Sequence, residues 1–384
     1  MVVIFLLLCF SCKSRSNGLY TYHQPENIND GFIAGTLVDA DIDPYLITVA
    51  ADKILAKEFK EVHSMLIFRN SRLVFEEYFR GHIYKWDAPY HLGEDVEWDK
   101  SLVHDIKSAT KSITSTCIGI AIGNGFIDSV NQSIFDYLPE YQKFNTDGKD
   151  KITIEHLLTM TSGLEWDEWN SPLSSTDNDI IGLWVNYKDP IVGILGKPLN
   201  KTPGTSFTYS GGNMIVLGEI IKNATKMKID EFSKKFLFDP LGIEHPNWSL
   251  QYDNGTIESA SSLEITPRDM LKIGVTFLNR GIWKGKRIVS EKWVEKSSEV
   301  YRGNKWINVP GEPSGFLGYS YSWWTKTYSK KGMKVHMFSA SGWGGQHIMV
   351  LPELDTVVVF TGSNYLTYRP PFKILEKYIL PAIK

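Results

Sequence analysis

Two apolar hairpins at opposite ends of the chain constrain its fold more than any other feature. Met65–Phe68 and Leu73–Phe79 read as strands, rich in β-branched and aromatic residues, with Asn70-Ser71-Arg72 as the turn between them. Near the other end, His347–Leu351 and Thr356–Phe360 repeat the pattern around Pro352-Glu-Leu-Asp355. The economical arrangement is one antiparallel sheet built from both chain ends. Pro44–Phe59, with Ile47, Ala50, Ala51, Ile54 and Leu55 at helical spacing, and Pro371–Ile383 supply helices to flank it. The middle of the chain is helical and loop-rich and reads as an inserted lobe over roughly 112–260. The expected class is α/β (α+β), and a cleft between two such lobes is a natural site.

Composition excludes several functions. Of 384 residues 42% are hydrophobic, enough for a full core, and the net charge of −3 is spread along the chain. There is no basic stripe and no zinc spacing, so nucleic acid is not an expected partner. The acidic run Glu94-Asp-Val-Glu-Trp-Asp99 reads as a solvated loop, and neither a metal nor a cofactor is expected. Val2–Phe10 is an apolar run too short to span a bilayer. Ser11-Cys12 after it resembles a bacterial lipoprotein cleavage site. The expectation is a signal peptide over 1–11, lipidation at Cys12, a polar tether over 12–30 and a folded domain over 31–384. Membrane contact would be through the lipid anchor alone, at a bacterial cell envelope; a periplasmic or secreted form is the alternative. Cys117 then stands alone as a small apolar side chain, with no disulfide framework.

Three short segments carry chemistry. Ser108-Ala-Thr-Lys111 opens a helix with apolar Ile113, Cys117, Ile120 and Ala121. Serine at i and lysine at i+3 share a helix face. A serine hydroxyl needs a nearby base before it is a useful nucleophile. A lysine in a dry site can lose its charge and serve. The helix start also offers N–H groups to a developing oxyanion. Taken alone, the bland reading is a serine cap at an exposed helix start. Second, Pro203-Gly-Thr-Ser-Phe-Thr-Tyr209-Ser-Gly-Gly-Asn213 turns the chain into an amphipathic helix and places Tyr209 at its corner. Beside a lysine, such a phenol can act as general base; the bland reading is a tyrosine packed at a turn. Third, Ser339-Ala-Ser341-Gly342-Trp343-Gly-Gly-Gln346 leads into the strand at His347, and its glycines allow close approach to the strand edge.

In this order and at these separations the three segments resemble the serine β-lactamase and penicillin-binding-protein superfamily. The Tyr-Ser second motif is similar to the class C branch and its esterases. Ile154-Glu-His-Leu-Leu-Thr-Met-Thr-Ser-Gly-Leu164, Phe238-Asp-Pro-Leu-Gly-Ile243 and Leu263-Glu-Ile-Thr-Pro-Arg-Asp-Met270 resemble further landmarks, and the likeness covers roughly residues 60 to 365. It implies that Ser108 is acylated and that Lys111 and Tyr209 share proton transfer. It also implies an oxyanion hole from the backbone N–H groups of Ser108 and Trp343, on a substrate strand with Ser341 and Gly342.

One departure matters. The family usually has a Lys or His cation in the third motif, where this chain reads Ala340-Ser341-Gly342. A substrate carboxylate would lose a charge-assisted partner there. That argues against efficient β-lactam or D-Ala-D-Ala turnover and towards the branch resembling nylon-oligomer (6-aminohexanoate-dimer) hydrolases and esterases. The expected substrate is a small ester, amide or peptide-like molecule; oligomeric state is open. Trp166 and Trp169, with Trp184 and Tyr187 beyond, are candidates for an acyl pocket. A β-lactamase or D-Ala peptidase with a drifted third motif is the second reading. A non-catalytic binding protein is the third, opposed by the retention of Ser108, Lys111 and Tyr209. A Ser-His-Asp triad drawn from His104, His156, His336 or His347 is discounted, because no Gly-x-Ser-x-Gly elbow exists.

Overall fold

The computed structural model describes residues 20–366 and 369–384. Seven strands form the main sheet: Val62–Arg69 (β1), Arg72–Tyr78 (β2), Gly318–Ser320 (β3), Trp323–Lys330 (β4), Met333–Gly342 (β5), Gln346–Leu351 (β6) and Thr356–Gly362 (β7). Their order is β3-β4-β5-β6-β7-β1-β2 and every pairing is antiparallel. The two terminal hairpins join where β1 lies against β7, with Met65 opposite Phe360 and Ile67 opposite Val358. Asn70 and Ser71 both have positive φ, 49° and 62°, the turn that suits the right-handed twist of a hairpin.

β1 and β7 are buried along their whole length, so both faces of the sheet are covered. Adjacent residues of β6 show how. Ile348 meets helix Pro267–Leu278, where Gly274 lets the helix close on Val357 and Ile348. His347, pointing the other way, packs edge-on to Phe372 in the helical run 371–382. That run also packs against helix Pro44–Leu55. The terminal helices thus flank the sheet as the periodicity indicated, although the first stops at Leu55, before the left-handed Lys57 (φ 59°). In the inserted part, helices Thr110–Gly123 and Gly211–Thr225 pack together and are buried over most of their length.

The tether expectation needs correction at its C-terminal end. Residues 1–19, including Cys12, lie outside the described residues, but 20–30 are pinned to the domain. The Tyr20 hydroxyl donates to Glu77 (2.5 Å) and the Tyr22 hydroxyl to the Val74 carbonyl (2.9 Å). Buried Arg268 pairs with Glu76 (2.5 Å) and Asp30 (3.0 Å) and donates to the Glu26 carbonyl (2.9 Å). Composition marked this stretch as polar; its tyrosines and acids are partners for groups far along the chain. Among the described residues no helix is long and apolar enough to cross a membrane.

Candidate active site

Ser108 is presented by a strained turn. The strand His104–Asp105 pairs with Leu263–Ile265, and the chain then enters a short 3-10 turn, Lys107–Ala109, before the helix at Thr110. Lys107 has φ 50°, which costs a non-glycine residue about 1 kcal/mol or more and persists only when held. Asp105 holds it, accepting from the Lys107 amide (2.9 Å) and ammonium (2.5 Å), and that ammonium lies 3.2 Å from the centre of the Tyr84 ring. The Ser108 hydroxyl caps no helix amide, so the bland reading of the motif fails. It accepts a hydrogen bond from the Lys111 ammonium at 3.1 Å.

Lys111 is 2% exposed. Its ammonium also donates to the Ala260 carbonyl (3.2 Å), lies 3.7 Å from Glu168 Oε1 and sits 4.8 Å from the centre of the Tyr209 ring. The expectation of a lysine that burial discharges takes in only one of the forces on it. Burial does pull the Lys111 pKa down, but Tyr209, Glu168 and Glu258 together outweigh it and raise the pKa above the ordinary lysine value. Lys111 is therefore an ammonium at neutral pH.

Tyr209 stands at the foot of helix Gly211–Thr225, whose cap is Ser210 accepting from the Asn213 amide (3.2 Å). Beneath it lies the 154–164 motif. Met160, with φ 57°, accepts from the Thr208 amide through its carbonyl (2.8 Å) and from the Ser210 amide through its sulfur (3.4 Å). The Tyr209 ring stacks on Trp169 (4.9 Å, 20°) and on Trp324 of β4 (5.8 Å, 25°). Trp166 reaches the cluster indirectly: its indole donates to Glu168 Oε2 (3.0 Å), which also accepts from the Gly211 amide (2.6 Å). Glu168 is the residue that sequence reasoning missed, although it stands between the two tryptophans singled out. Trp184 stacks instead on Tyr252 (4.1 Å), and Tyr187 lies against Gly193.

In the third motif, Ser341 pairs with His347 across β5 and β6, and its hydroxyl contacts His347 Nδ1 (3.0 Å) and Ser339 (3.1 Å). Gly342 lies against the Ser108 turn: a Cβ there would collide with the Ile106 carbonyl and sit 3.2 Å from the Ala109 amide. A Gly342→Ala variant is expected to displace that turn, lowering kcat at least tenfold and the melting temperature by several degrees, checked by steady-state kinetics and calorimetry. The Trp343 indole donates to the Tyr365 carbonyl (2.6 Å), and its ring packs on Tyr84, His91 and Tyr365. The charge beside Ser341 is arranged around it rather than on it. Burial, with Arg369 adding to it, depresses His347 to about 3, so the imidazole is neutral. Glu312 lies 3.6 Å from His347 and 3.5 Å from Arg369. Arg369 was not singled out in the sequence; its pKa is lowered by burial, against Glu312 and Tyr209.

A cavity of about 190 Å³ opens beside His63, Tyr84, Trp98, His104 and Tyr365. None of Ser108, Lys111 and Tyr209 lines it, and the Nδ1 atoms of His63 and His104, which have no hydrogen-bond partner in the protein, suit it to water. His104 Nε2 meets Thr361 (3.1 Å), so this histidine serves no triad with Ser108. Among the described residues no group of acids, histidines and cysteines could hold a metal ion.

An antiparallel sheet closed by both chain ends, with a Ser-x-x-Lys turn facing a tyrosine corner from the helical insert, defines the β-lactamase/transpeptidase class of serine hydrolases. The chain belongs to the Beta-lactamase family, whose profile matches residues 61–370. A protein of Salmonella agona (strain SL483), provisionally named D-alanyl-D-alanine carboxypeptidase, is 26% identical over 187 residues, 47% of this chain and 42% of its own length. The chain thus matches less than half the length of that curated relative. Among solved structures, one provisionally named 6-aminohexanoate-dimer hydrolase, from Bacillus anthracis, superposes with a TM-score of 0.66 at 20% identity, covering 85% of this chain and 80% of that one. A family VIII carboxylesterase gives a TM-score of 0.64 at 16% identity, covering 88% and 96%. At these identities the likeness is one of fold.

Proposed function

We propose that the protein hydrolyses a small ester or amide through an acyl-enzyme on Ser108. The observation that carries this reading is the 3.1 Å contact between the Ser108 hydroxyl and a Lys111 ammonium that also faces Tyr209. The serine oxygen bonds to the acyl carbon while its proton passes into the Lys111–Tyr209 pair. The same pair returns a proton to the leaving oxygen or nitrogen as the C–O or C–N bond breaks. Water then attacks the acyl carbon and gives a proton to the pair, and the bond from the acyl carbon to the Ser108 oxygen breaks as the pair returns that proton to the serine. Trp169 and Trp324, which stack on the site tyrosine and on each other, favour an apolar acyl group.

The second reading, cleavage of a D-Ala-D-Ala peptide or a β-lactam, draws on the name of the Salmonella relative. Its substrates carry a carboxylate, and beside Ser341 stands a neutral His347, with Arg369 already facing Glu312. Ester hydrolysis is the better supported. The test sets a short-chain p-nitrophenyl ester against a chromogenic cephalosporin, with a Ser108→Ala control. Ester turnover at least a hundredfold more efficient than cephalosporin turnover is expected; the reverse order would establish the second reading. The same proposal places the protein at a cell envelope, anchored by lipid on Cys12. In a bacterial host, palmitate labelling is expected for the full chain and absent from Cys12→Ser; label retained by that variant would remove the anchor.

A further inference from the structure

Glu168 reaches Lys111 from the loop that carries Trp166 and Trp169. Its two oxygens do different things. Oε2 is clamped by the Gly211 amide (2.6 Å) and the Trp166 indole (3.0 Å). Oε1 is left facing the Lys111 ammonium at 3.7 Å. The side chain is 12% exposed, so water screens this pair little. Space for the carboxylate exists because residue 211 is glycine: a Cβ there would lie 3.1 Å from Oε2. The clamp fixes the carboxylate relative to helix Gly211–Thr225, and so relative to Tyr209 at its foot.

We propose that Glu168 is a positioning residue: it holds the Lys111 ammonium against the Ser108 hydroxyl, so that the serine proton passes to Tyr209 in its phenolate form, which becomes the phenol. This rests on the acyl-enzyme reading of Ser108. An ammonium with all its protons cannot accept another. Lys111 already directs its donors to Ser108 and the Ala260 carbonyl, with Glu168 opposite. Three groups face Lys111: Tyr209, Glu168 and Glu258. Glu258 is itself pushed up by burial while accepting from the Ala260 and Ser261 amides, so its charge is the less secure. Around these, Tyr252 and Tyr319 feel Glu168, and Arg369 feels Tyr209. Glu168 is thus the acidic side chain with a fixed place beside the lysine.

The test is Glu168→Gln in the full chain, with the pH dependence of kcat and KM for a p-nitrophenyl ester. Glutamine can accept both clamp bonds through its carbonyl oxygen, so a purely structural role would survive the change. Without the carboxylate the Lys111 ammonium loses its proton at lower pH. The expected result is a kcat lowered at least tenfold with KM within about threefold, and a basic limb moved down by about one pH unit. An unchanged profile overturns the proposal. So does a faster rate at neutral pH, because more free amine would then mean a better base. Should Glu168→Gln melt early, Glu168→Asp keeps the charge on a shorter arm. A lower kcat with the basic limb in place then supports the proposal, and a moved limb overturns it. Ser108→Ala run in parallel separates the two claims. If that variant stays active, the acyl-enzyme reading fails; if it is dead while Glu168→Gln matches the parent, only the role of Glu168 fails.

Discussion

Ser108→Ala is expected to lower kcat for a p-nitrophenyl ester by about four to six orders of magnitude while leaving the protein folded. The first half follows from the surroundings of Lys111. Among the described residues Ser108 alone brings a serine hydroxyl to the Lys111 ammonium, and the histidines that another arrangement would need are engaged elsewhere, His104 with Thr361 and His347 with Ser341. The second half follows from the local hydrogen bonding. The Ser108 hydroxyl caps no amide and ties no distant segment, and Lys111 keeps the Ala260 carbonyl and Glu168 when it is gone. The melting temperature should therefore move by no more than about 2–3 °C. Intact-mass measurement during turnover of a slow ester should find one acyl group on the parent and none on the variant. An adduct on the variant would place the nucleophile elsewhere.

Lys111→Met is expected to fail in both respects. Loss of the ammonium should cost about two to four orders of magnitude in kcat. It should also cost about 3–5 kcal/mol of stability, because a buried ion pair broken on one side leaves its partner charge uncompensated. The sign with pH separates this from simple loss of packing. Lys111 has a raised folded-state pKa, so its contribution is full below the unfolded lysine value and is lost only as pH rises through the folded one. In the variant, Glu258, already pushed up by burial and losing the opposing pull of Lys111, is relieved by taking a proton. The stability deficit against the parent, measured by urea unfolding, should therefore shrink as pH is lowered from neutral towards the acid range. A deficit independent of pH would mean that lost packing accounts for it.

What could be read before folding was what is local. The hairpins at both ends announce themselves through strand composition and turn residues. Ser108 and Lys111 lie one turn apart, and Tyr209 is marked by the glycines around it. What could not be read depends on groups brought together from afar. Burial pulls the Lys111 pKa down, and Tyr209, Glu168 and Glu258, all distant in sequence, outweigh it. Glu168 sits in an acidic, Trp-rich loop with no periodicity to say which carboxylate turns inward. The Ala260 contribution is a carbonyl, which no side-chain pattern marks. Lys107 carries no residue-type hint of its left-handed backbone, since glycine or asparagine is usual there. Residues 20–30 looked like a tether because their partners, Glu77, Val74 and Arg268, are distant in sequence.

The contact between β1 and β7 also governs when this protein can exist as a folded object. Met65 finds its partner at Phe360, so the middle of the sheet waits for roughly three hundred further residues to leave the ribosome. Such high contact order makes folding slow and leaves β1 and β2, with their apolar edge, exposed during synthesis. A nascent chain of this kind is a natural client for chaperones, and a messenger truncated before the last strands should yield aggregate rather than a smaller soluble enzyme.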